Sequence, residues 1–466
     1  MSLPLPPAVD SMWAATAGPY APNPALDGDT TVDVAIIGGG YTGLTTAYEL
    51  RRADPSLNVA VLEAREVGFG GSGRNGSFAM TVVGLGFSGT AMIKGKDFLV
   101  QAHRYMMRAV DTLDELVDNE GLDCDKIRPG FLRVATTEKY LRRIRKEVDL
   151  MNRLGFDDIF YMDKDDVRQR VNSPVHLGAL WEPRLILVHP LKLVRAERDL
   201  ATRYGATVYE NTPVLRVRRG ENFDLETPSG TMTANKVVFA TNAYSHFFPG
   251  LKRKQVPAFT HMLSTEPLTP EQLEPIGWQG REGVEDMRNL IHHYRLTADN
   301  RVTMGGGPVG FTWGNSLNAD HRPAAWQEVE SHFRVTFPHL RDVQFSHRWG
   351  GPFSVTMDLT PAMGFLGDKR AIYSLGCIGH GVSMVHLNAQ VLRDMVLDRE
   401  SELTESPFVG RRVIPWPPEP IRLAMGLAMR SYLRLEDWSR ERDLRRAKAQ
   451  VHAHQPPPAV SAGVQK

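Results

Sequence analysis

The strongest constraint on the fold is a stretch of thirty-two residues near the amino end, DVAIIGGGYTGLTTAYELRRADPSLNVAVLEA, from Asp33 to Ala64. A short apolar run, Val34 to Ile37, leads into Gly38, Gly40 and Gly43. A helical pattern continues to about Arg52, and a second apolar run, Val59 to Leu62, ends in Glu63. Each glycine answers a separate demand: a tight turn out of a strand, close backbone approach to a pyrophosphate, and contact of helix on strand. The free N–H groups at the helix start favour an anion. Glu63, twenty residues beyond Gly43, stands where a carboxylate accepts hydrogen bonds from both hydroxyls of an adenosine ribose and repels a 2′-phosphate. A dinucleotide site on an α/β fold with a Rossmann-like nucleotide-binding domain is the expectation.

Composition narrows the remaining choices. At 466 residues the chain exceeds what one core usually supports. Lysine plus arginine number 55 and aspartate plus glutamate 54, a net charge of +1, which disfavours nucleic acid as a partner. Two cysteines, Cys124 and Cys377, supply neither a disulfide scaffold nor a Cys-rich metal cluster. No metal site is expected. The amino end lacks the positive head and continuous apolar core of an export signal, and the charge-free run from Asn75 to Ile93 is broken by Gly, Ser and Thr. A cytoplasmic protein with no integral membrane segment is expected.

Along the chain, residues 1–31 read as an arm laid on the body by Trp13 and Tyr20. Glycines at 68, 70, 71, 73 and 76 surround Arg74 and Asn75, too costly in backbone entropy for an idle loop. The spacing predicts helices over 97–120, 138–154, 191–203 and 323–337, and strands over 130–137, 206–220, 236–248 and 371–375. A hairpin turning at ADN carries His292, His293, Tyr294 and Arg295 on its first strand. Alternation puts His292 and Tyr294 on one face and His293 and Arg295 on the other, so they cannot all face one site. A second glycine turn, Gly376, Gly379 and Gly381 around His380, opens a helix near Val382. Prolines 415, 417, 418 and 420 precede a helical stretch over 420–450, and the final HQPPPAVSAGVQK reads as mobile.

Two glycine-rich, ligand-facing regions more than three hundred residues apart suit a large cofactor with separate subsites for its adenosine and its reactive ring. At DVAIIGGGYTGLTTAYEL, VLEAREVGFGGSGRNGS, LSTEPL, LTPAMGFLG and GCIGHGVSM the chain resembles the D-amino-acid-oxidase-like FAD-dependent oxidoreductases, the glycine oxidase and sarcosine oxidase type. Within that group it most resembles the gamma-glutamylputrescine oxidoreductase branch.

The resemblance implies FAD. Gly38, Gly40 and Gly43 would lie at its pyrophosphate, Glu63 and Ala64 at the ribose, and Ser72, Gly73, Arg74, Asn75 and Gly76 along the ribityl chain and ring. Val214 would meet the adenine, and Gly379, His380, Gly381, Val382 and Ser383 the pyrimidine edge. Arg74 stands where some histidyl-linked relatives place their histidine, which favours a dissociable flavin. The implied activity is oxidation of the C–N bond of an amine or amino acid by hydride transfer to flavin N5, giving an imine that hydrolyses. The candidate catalytic or positioning residues are His380, Arg74, Tyr294, Arg348 and Trp349. Sarcosine-oxidase-like relatives place a lysine over the flavin, whereas RVTMGGG here has only Arg301 nearby, so oxygen and another electron acceptor both stay open. Oligomeric state stays open too, as do two other readings: a flavin monooxygenase and a non-catalytic flavoprotein subunit.

The expected domains are an N-terminal arm, 1–31, and a discontinuous FAD-binding domain, 32–80, 176–250 and 346–400. An interleaved α+β substrate domain, 81–175 and 251–345, contains a mixed or antiparallel sheet, and a C-terminal extension covers 401–466.

Overall fold

The computed structural model describes residues 3–441. Two eight-stranded sheets organise the chain. The first runs in the order Ala362–Phe365, Ala371–Leu375, Gly230–Phe239, Thr30–Ile37, Val59–Leu62, Thr207–Tyr209. All neighbours on this path are parallel except the first pair. A hairpin, Arg216–Arg219 with Phe223–Thr227, is added antiparallel to Gly230–Phe239.

Parallel strands need crossovers, and helices supply them. Tyr41–Ala53, Lys96–Glu120, Pro190–Arg203 and Gly381–Val396 share one apolar core with one face of this sheet. Near-continuous apolar strands such as VAVL, buried throughout, follow from cover on both faces.

The second sheet is mixed. Its order is Phe345–Val355, Val256–Thr265, Val302–Gly310, His292–Leu296, Gly283–Asp286, Phe131–Val134, Ala179–Glu182, Phe160–Met162. Only Gly283–Asp286 and Phe131–Val134 pair in parallel. Ala179–Glu182 and all of Phe345–Val355 but its first residue lie in spans expected in the FAD-binding domain. Ala179–Glu182 pairs with the nearby Phe160–Met162 and with Phe131–Val134, whereas the partner of Phe345–Val355, Val256–Thr265, lies some eighty or more residues earlier, beyond the reach of local pattern.

The amino-terminal arm is laid on the body as its aromatics suggested. Ser11 caps a short helix, Met12–Thr16. The Trp13 indole donates to the Asn75 carbonyl at 3.0 Å. The Tyr20 hydroxyl donates to Glu210 at 2.6 Å while Arg195 and Arg198 lie over its ring. At the other end, Ile421–Arg440 is a helix. The remainder of the expected helical stretch and the final HQPPPAVSAGVQK segment lie outside the described residues. Among the described residues no helix is long and apolar enough to cross a membrane.

Candidate active site

A cavity of about 480 Å³ is lined by residues of both sheets, and its wall is of two kinds, a backbone arm and a side-chain arm. The first is walled by backbone. Thr30–Ile37 ends at Gly38, whose φ of 111° is closed to most side chains, and a Cβ there would stand 2.7 Å from the Ala240 carbonyl oxygen. Gly40 caps the next helix, and a Cβ on Gly43 would fall 1.9 Å from the Gly38 carbonyl oxygen. Gly43 is therefore the helix-on-strand contact and lies behind the cavity wall, which Gly38 and Gly40 form.

Glu63 accepts the Gly39 N–H at 2.7 Å and the Arg65 N–H at 3.0 Å, and burial pushes its carboxyl above the usual range against those bonds. Ala64, Ser72, Arg74, Asn75, Gly76, Val214, Gly379, His380, Gly381 and Val382 continue the wall. Asn75 ties its own loop by donating to the Gly71 and Ser72 carbonyls and accepting the Ser77 N–H. The helix Gly381–Val396 begins at this wall, directing its positive end inward.

Besides Gly43, the expected residues Ser383, Gly73 and Trp349 stand off this wall. Ser383 is fully buried and donates to the Met80 carbonyl at 2.8 Å, turned off the cavity because it lies on the covered face of its helix. Gly73 packs against Gly68, with a Cβ only 2.2 Å from the Gly68 carbonyl oxygen. The Trp349 side chain does not wall the cavity: its indole donates to the Arg74 carbonyl at 3.0 Å and meets Trp13 edge to face, so it props the loop from behind. Arg74 itself is held on four sides. Its guanidinium donates to the Phe69 carbonyl, the Tyr244 hydroxyl, the Gly350 carbonyl and Asp320, the last at 3.1 Å. It ties the glycine loop to the second sheet.

The second arm is walled by side chains. On the hairpin strand the alternation decides who faces in. His293 lines the cavity, its Nε2 2.5 Å from where a Cβ on Gly76 would stand, while Tyr294 points into the opposite core. There its hydroxyl pairs with His176 Nε2 at 2.7 Å among Trp278 and Phe337. Arg295, on His293's side, is spent on the Ser77 hydroxyl and the Val188 carbonyl. Arg348 is exposed, pairs with Glu330 at 3.2 Å and lies over Phe345, away from the cavity. Arg301 is engaged by Asp299 at 2.7 Å, and the cavity wall contains no lysine among the described residues.

Further residues complete this arm. Arg133 is buried, 3.1 Å from Glu147 and 3.3 Å from Glu285. Arg143 reaches Glu147 at 3.5 Å and donates to the Asn289 side chain at 3.2 Å. Burial pushes the Glu285 carboxyl up to about 7 against the pull of Arg133. Burial, reinforced by nearby charge, holds His293 and His380 down at about 4, so both imidazoles are neutral near pH 7. One signal in the sequence marked this cluster: Arg133 is a lone charge in the otherwise apolar strand FLRV, whereas Glu285 stands beside a second acid, Asp286, in GVED. Met429, Arg430 and Leu433 come from the C-terminal helix, which nothing local tied to the cavity.

The family model for FAD dependent oxidoreductases, DAO, matches residues 33–395. The chain belongs to this family. FAD binding is typical of it, and the backbone arm fits such a group: a Cβ at Gly38 or Gly40 would collide with its surroundings, while the anion-favouring helix starts face the space between them. Among related proteins, gamma-glutamylputrescine oxidoreductase of Escherichia coli K12 is 32% identical over 87% of this chain and 95% of its own length. Glycine oxidase of Bacillus subtilis 168 is 24% identical over 79% and 94%. The crystal structure of glycine oxidase from Geobacillus kaustophilus superposes with a TM-score of 0.72 at 19% identity, covering 83% of this chain and all of that one. That last likeness is one of fold.

Proposed function

We propose that the protein oxidises the C–N bond of a primary or secondary amine or an amino acid, binding FAD in the backbone arm and substrate in the side-chain arm. The observation that carries this reading is the single cavity joining the Gly38–Gly40 turn and the His380 turn to His293, Arg133 and Glu285 of the second sheet. Gly38, Gly40, Glu63, Ala64, Ser72, Asn75, Gly76, Val214 and the 379–382 turn would hold the cofactor, with Gly43 and Gly73 keeping its loops close. Bound FAD supplies the two-electron acceptor.

This chain's residues do the positioning. The substrate loses a hydride from the carbon beside nitrogen as the nitrogen lone pair forms the C=N bond, and the nitrogen proton leaves to solvent. Water then splits the imine into a carbonyl compound and an amine or ammonia. The nitrogen must arrive uncharged, and a wall with neutral His293 and His380 beside Arg133 disfavours an ammonium. Orientation of the reacting carbon is the larger task. Likeness to the enzyme named for gamma-glutamylputrescine favours a chain-bearing amine over a minimal amino acid.

The test is anaerobic bleaching of the FAD-loaded protein by a panel of alkylamines, polyamines, N-methyl amino acids and D-amino acids, without NADPH. Reduction by an amine supports the reading. Reduction by NADPH alone turns the assignment to a monooxygenase, and no reduction by any nitrogen compound abandons it.

A further inference from the structure

The C-terminal helix, Ile421–Arg440, inverts the usual pattern of a surface helix. Such a helix buries its apolar stripe and gives its polar face to water. Here the buried residues are Gly426 and Asp437. Gly426 settles on Phe311, where a Cβ would stand 2.9 Å from the ring. Asp437 accepts the Asn289 N–H at 2.9 Å, the Leu290 N–H at 3.0 Å and the Tyr140 hydroxyl at 3.0 Å. Arg430, on the same side, donates to the Val309 carbonyl at 3.4 Å. A glycine contact and polar bonds thus anchor the inward side.

The outward side is apolar. Ile421, Tyr432 and Leu435 are 54%, 67% and 64% exposed, and Ala424 and Ala428 between them are exposed as well. Their spacing of three, four, four and three residues draws one stripe along the helix, and no charged residue interrupts it. Trp313, 62% exposed, enlarges the patch at the helix start. Its neighbour Gly314 donates its N–H to Glu419 at 2.9 Å, and Glu419 in turn accepts the Leu423 N–H at 3.1 Å. Together these side chains leave roughly 600 Å² of apolar surface open, the upper edge of what a lone chain usually leaves in one patch.

The stripe is also complementary to itself. With two copies of the helix antiparallel and Ala428 on a twofold axis, Ala428 meets Ala428, Ala424 meets Tyr432, and Ile421 meets Leu435. Tyr432 of each copy then fills the hollow above Ala424 of the other. In a parallel pair every residue would meet its own twin, ring against ring and alanine against alanine, and the helix dipoles would oppose each other rather than cancel. The arginines flanking the stripe, Arg422 and Arg434, are neutralised within their own chain by Glu419 at 2.8 Å and Glu328 at 3.2 Å, so like charges do not hinder the approach. The pair would bury roughly 1,200 Å², the lower edge of stable interfaces.

We propose that this face is a dimer interface, covered by the same helix of a second copy of the chain, antiparallel about Ala428. The helix lies beyond residue 395, where the family match ends, and the proposal stands apart from the amine-oxidation reading.

The experiment is sedimentation equilibrium of FAD-loaded, full-length protein over about 1–100 μM, for wild type and Ala428→Glu. Ala428 is exposed within one chain, and glutamate suits a helix. The wild type has twice the chain mass, and Ala428→Glu, which sets two carboxylates against each other on the axis, raises the dissociation constant about a hundredfold or more. Register is read by oxidative cross-linking. Alanines let the helix axes approach to about 8 Å, which brings cysteines on the axis within the roughly 4–7 Å between Cα atoms that a disulfide bridges. Ala428→Cys therefore links two chains, while Ala424→Cys, which faces Tyr432, links at most about a tenth as much. A wild type that stays monomeric overturns the proposal. Binding of that monomer to vesicles of phosphatidylserine and phosphatidylcholine, lost in Ala428→Glu, would give the face to a lipid surface instead. A dimer that Ala428→Glu leaves intact overturns it too. Should Ala428→Glu not fold, the cysteine pair decides: equal linking at 424 and 428, or none at 428, overturns the interface.

Discussion

Around the Gly38 and His380 turns the cavity is shaped by backbone, with glycines admitting what a side chain would exclude; across it, Arg133, Glu147, Glu285 and His293 shape the wall with side chains that need one another. The first arm tolerates no added atoms. The second tolerates no lost charge, because a buried ion stripped of its partner is far costlier than the pair. The backbone arm is thus fixed by steric limits at single glycines, and the side-chain arm by charges that can change only together.

The sharpest way to break this contrast is Arg133→Met. It strands Glu285 in the interior and leaves Glu147 with Arg143 alone, with an expected cost of about 3–5 kcal/mol, read by urea denaturation. A loss below about 1 kcal/mol would show that water reaches the cluster and that charge pairing does not hold this arm. In the backbone arm, Gly43→Ala places a Cβ on the Gly38 carbonyl. Overpacking there should cost about 1–3 kcal/mol and lower the flavin-to-protein ratio after purification; full flavin content would mean the turn yields.

A third test concerns pH. Burial holds His176 down at about 4, against an ordinary 6.5, so its contribution to stability is complete above pH 6.5 and drains away as pH falls toward 4. His176→Asn should therefore lose less relative to wild type at pH 5 than at pH 7, the gap closing by up to about 2 kcal/mol. A gap independent of pH would show that folding leaves His176 at its ordinary pKa.

The smallest effects separate adjacent strand neighbours. Tyr294→Phe removes only the bond to His176, worth about 1 kcal/mol, and should leave the rate of flavin reduction by an active amine within about twofold. His293→Asn should slow that reduction about tenfold, about 1.4 kcal/mol in barrier, with less effect on melting temperature. The reverse pattern would put Tyr294 back in the active site.

Much of the backbone arm was legible because its causes are local. Strand, glycine turn, helix, strand and acid follow within thirty-two residues, and helix 96–120 ends at Gly121 in the left-handed conformation as its spacing suggested. The candidate catalytic residues fared differently. Alternation correctly divided His292 and Tyr294 from His293 and Arg295, yet could not say which face was the cavity. That depended on Phe78 and Gly76 packing against one side and on the core of Trp278 and Phe337 against the other. Arg348 and Trp349, also among the candidates, are held by Glu330 and by the Arg74 carbonyl.

By itself the sequence determined the glycine turn after the first strand, the order of most helices and strands, and the fold class, since steric limits on glycine and the periods of helix and strand act over a few residues. Only the tertiary structure decided that Phe345–Val355 joins the second sheet, that Arg133 meets Glu285, and that the C-terminal helix brings Arg430 to the cavity. These depend on burying complementary surfaces and charges between segments some eighty or more residues apart, and no local pattern carries that information.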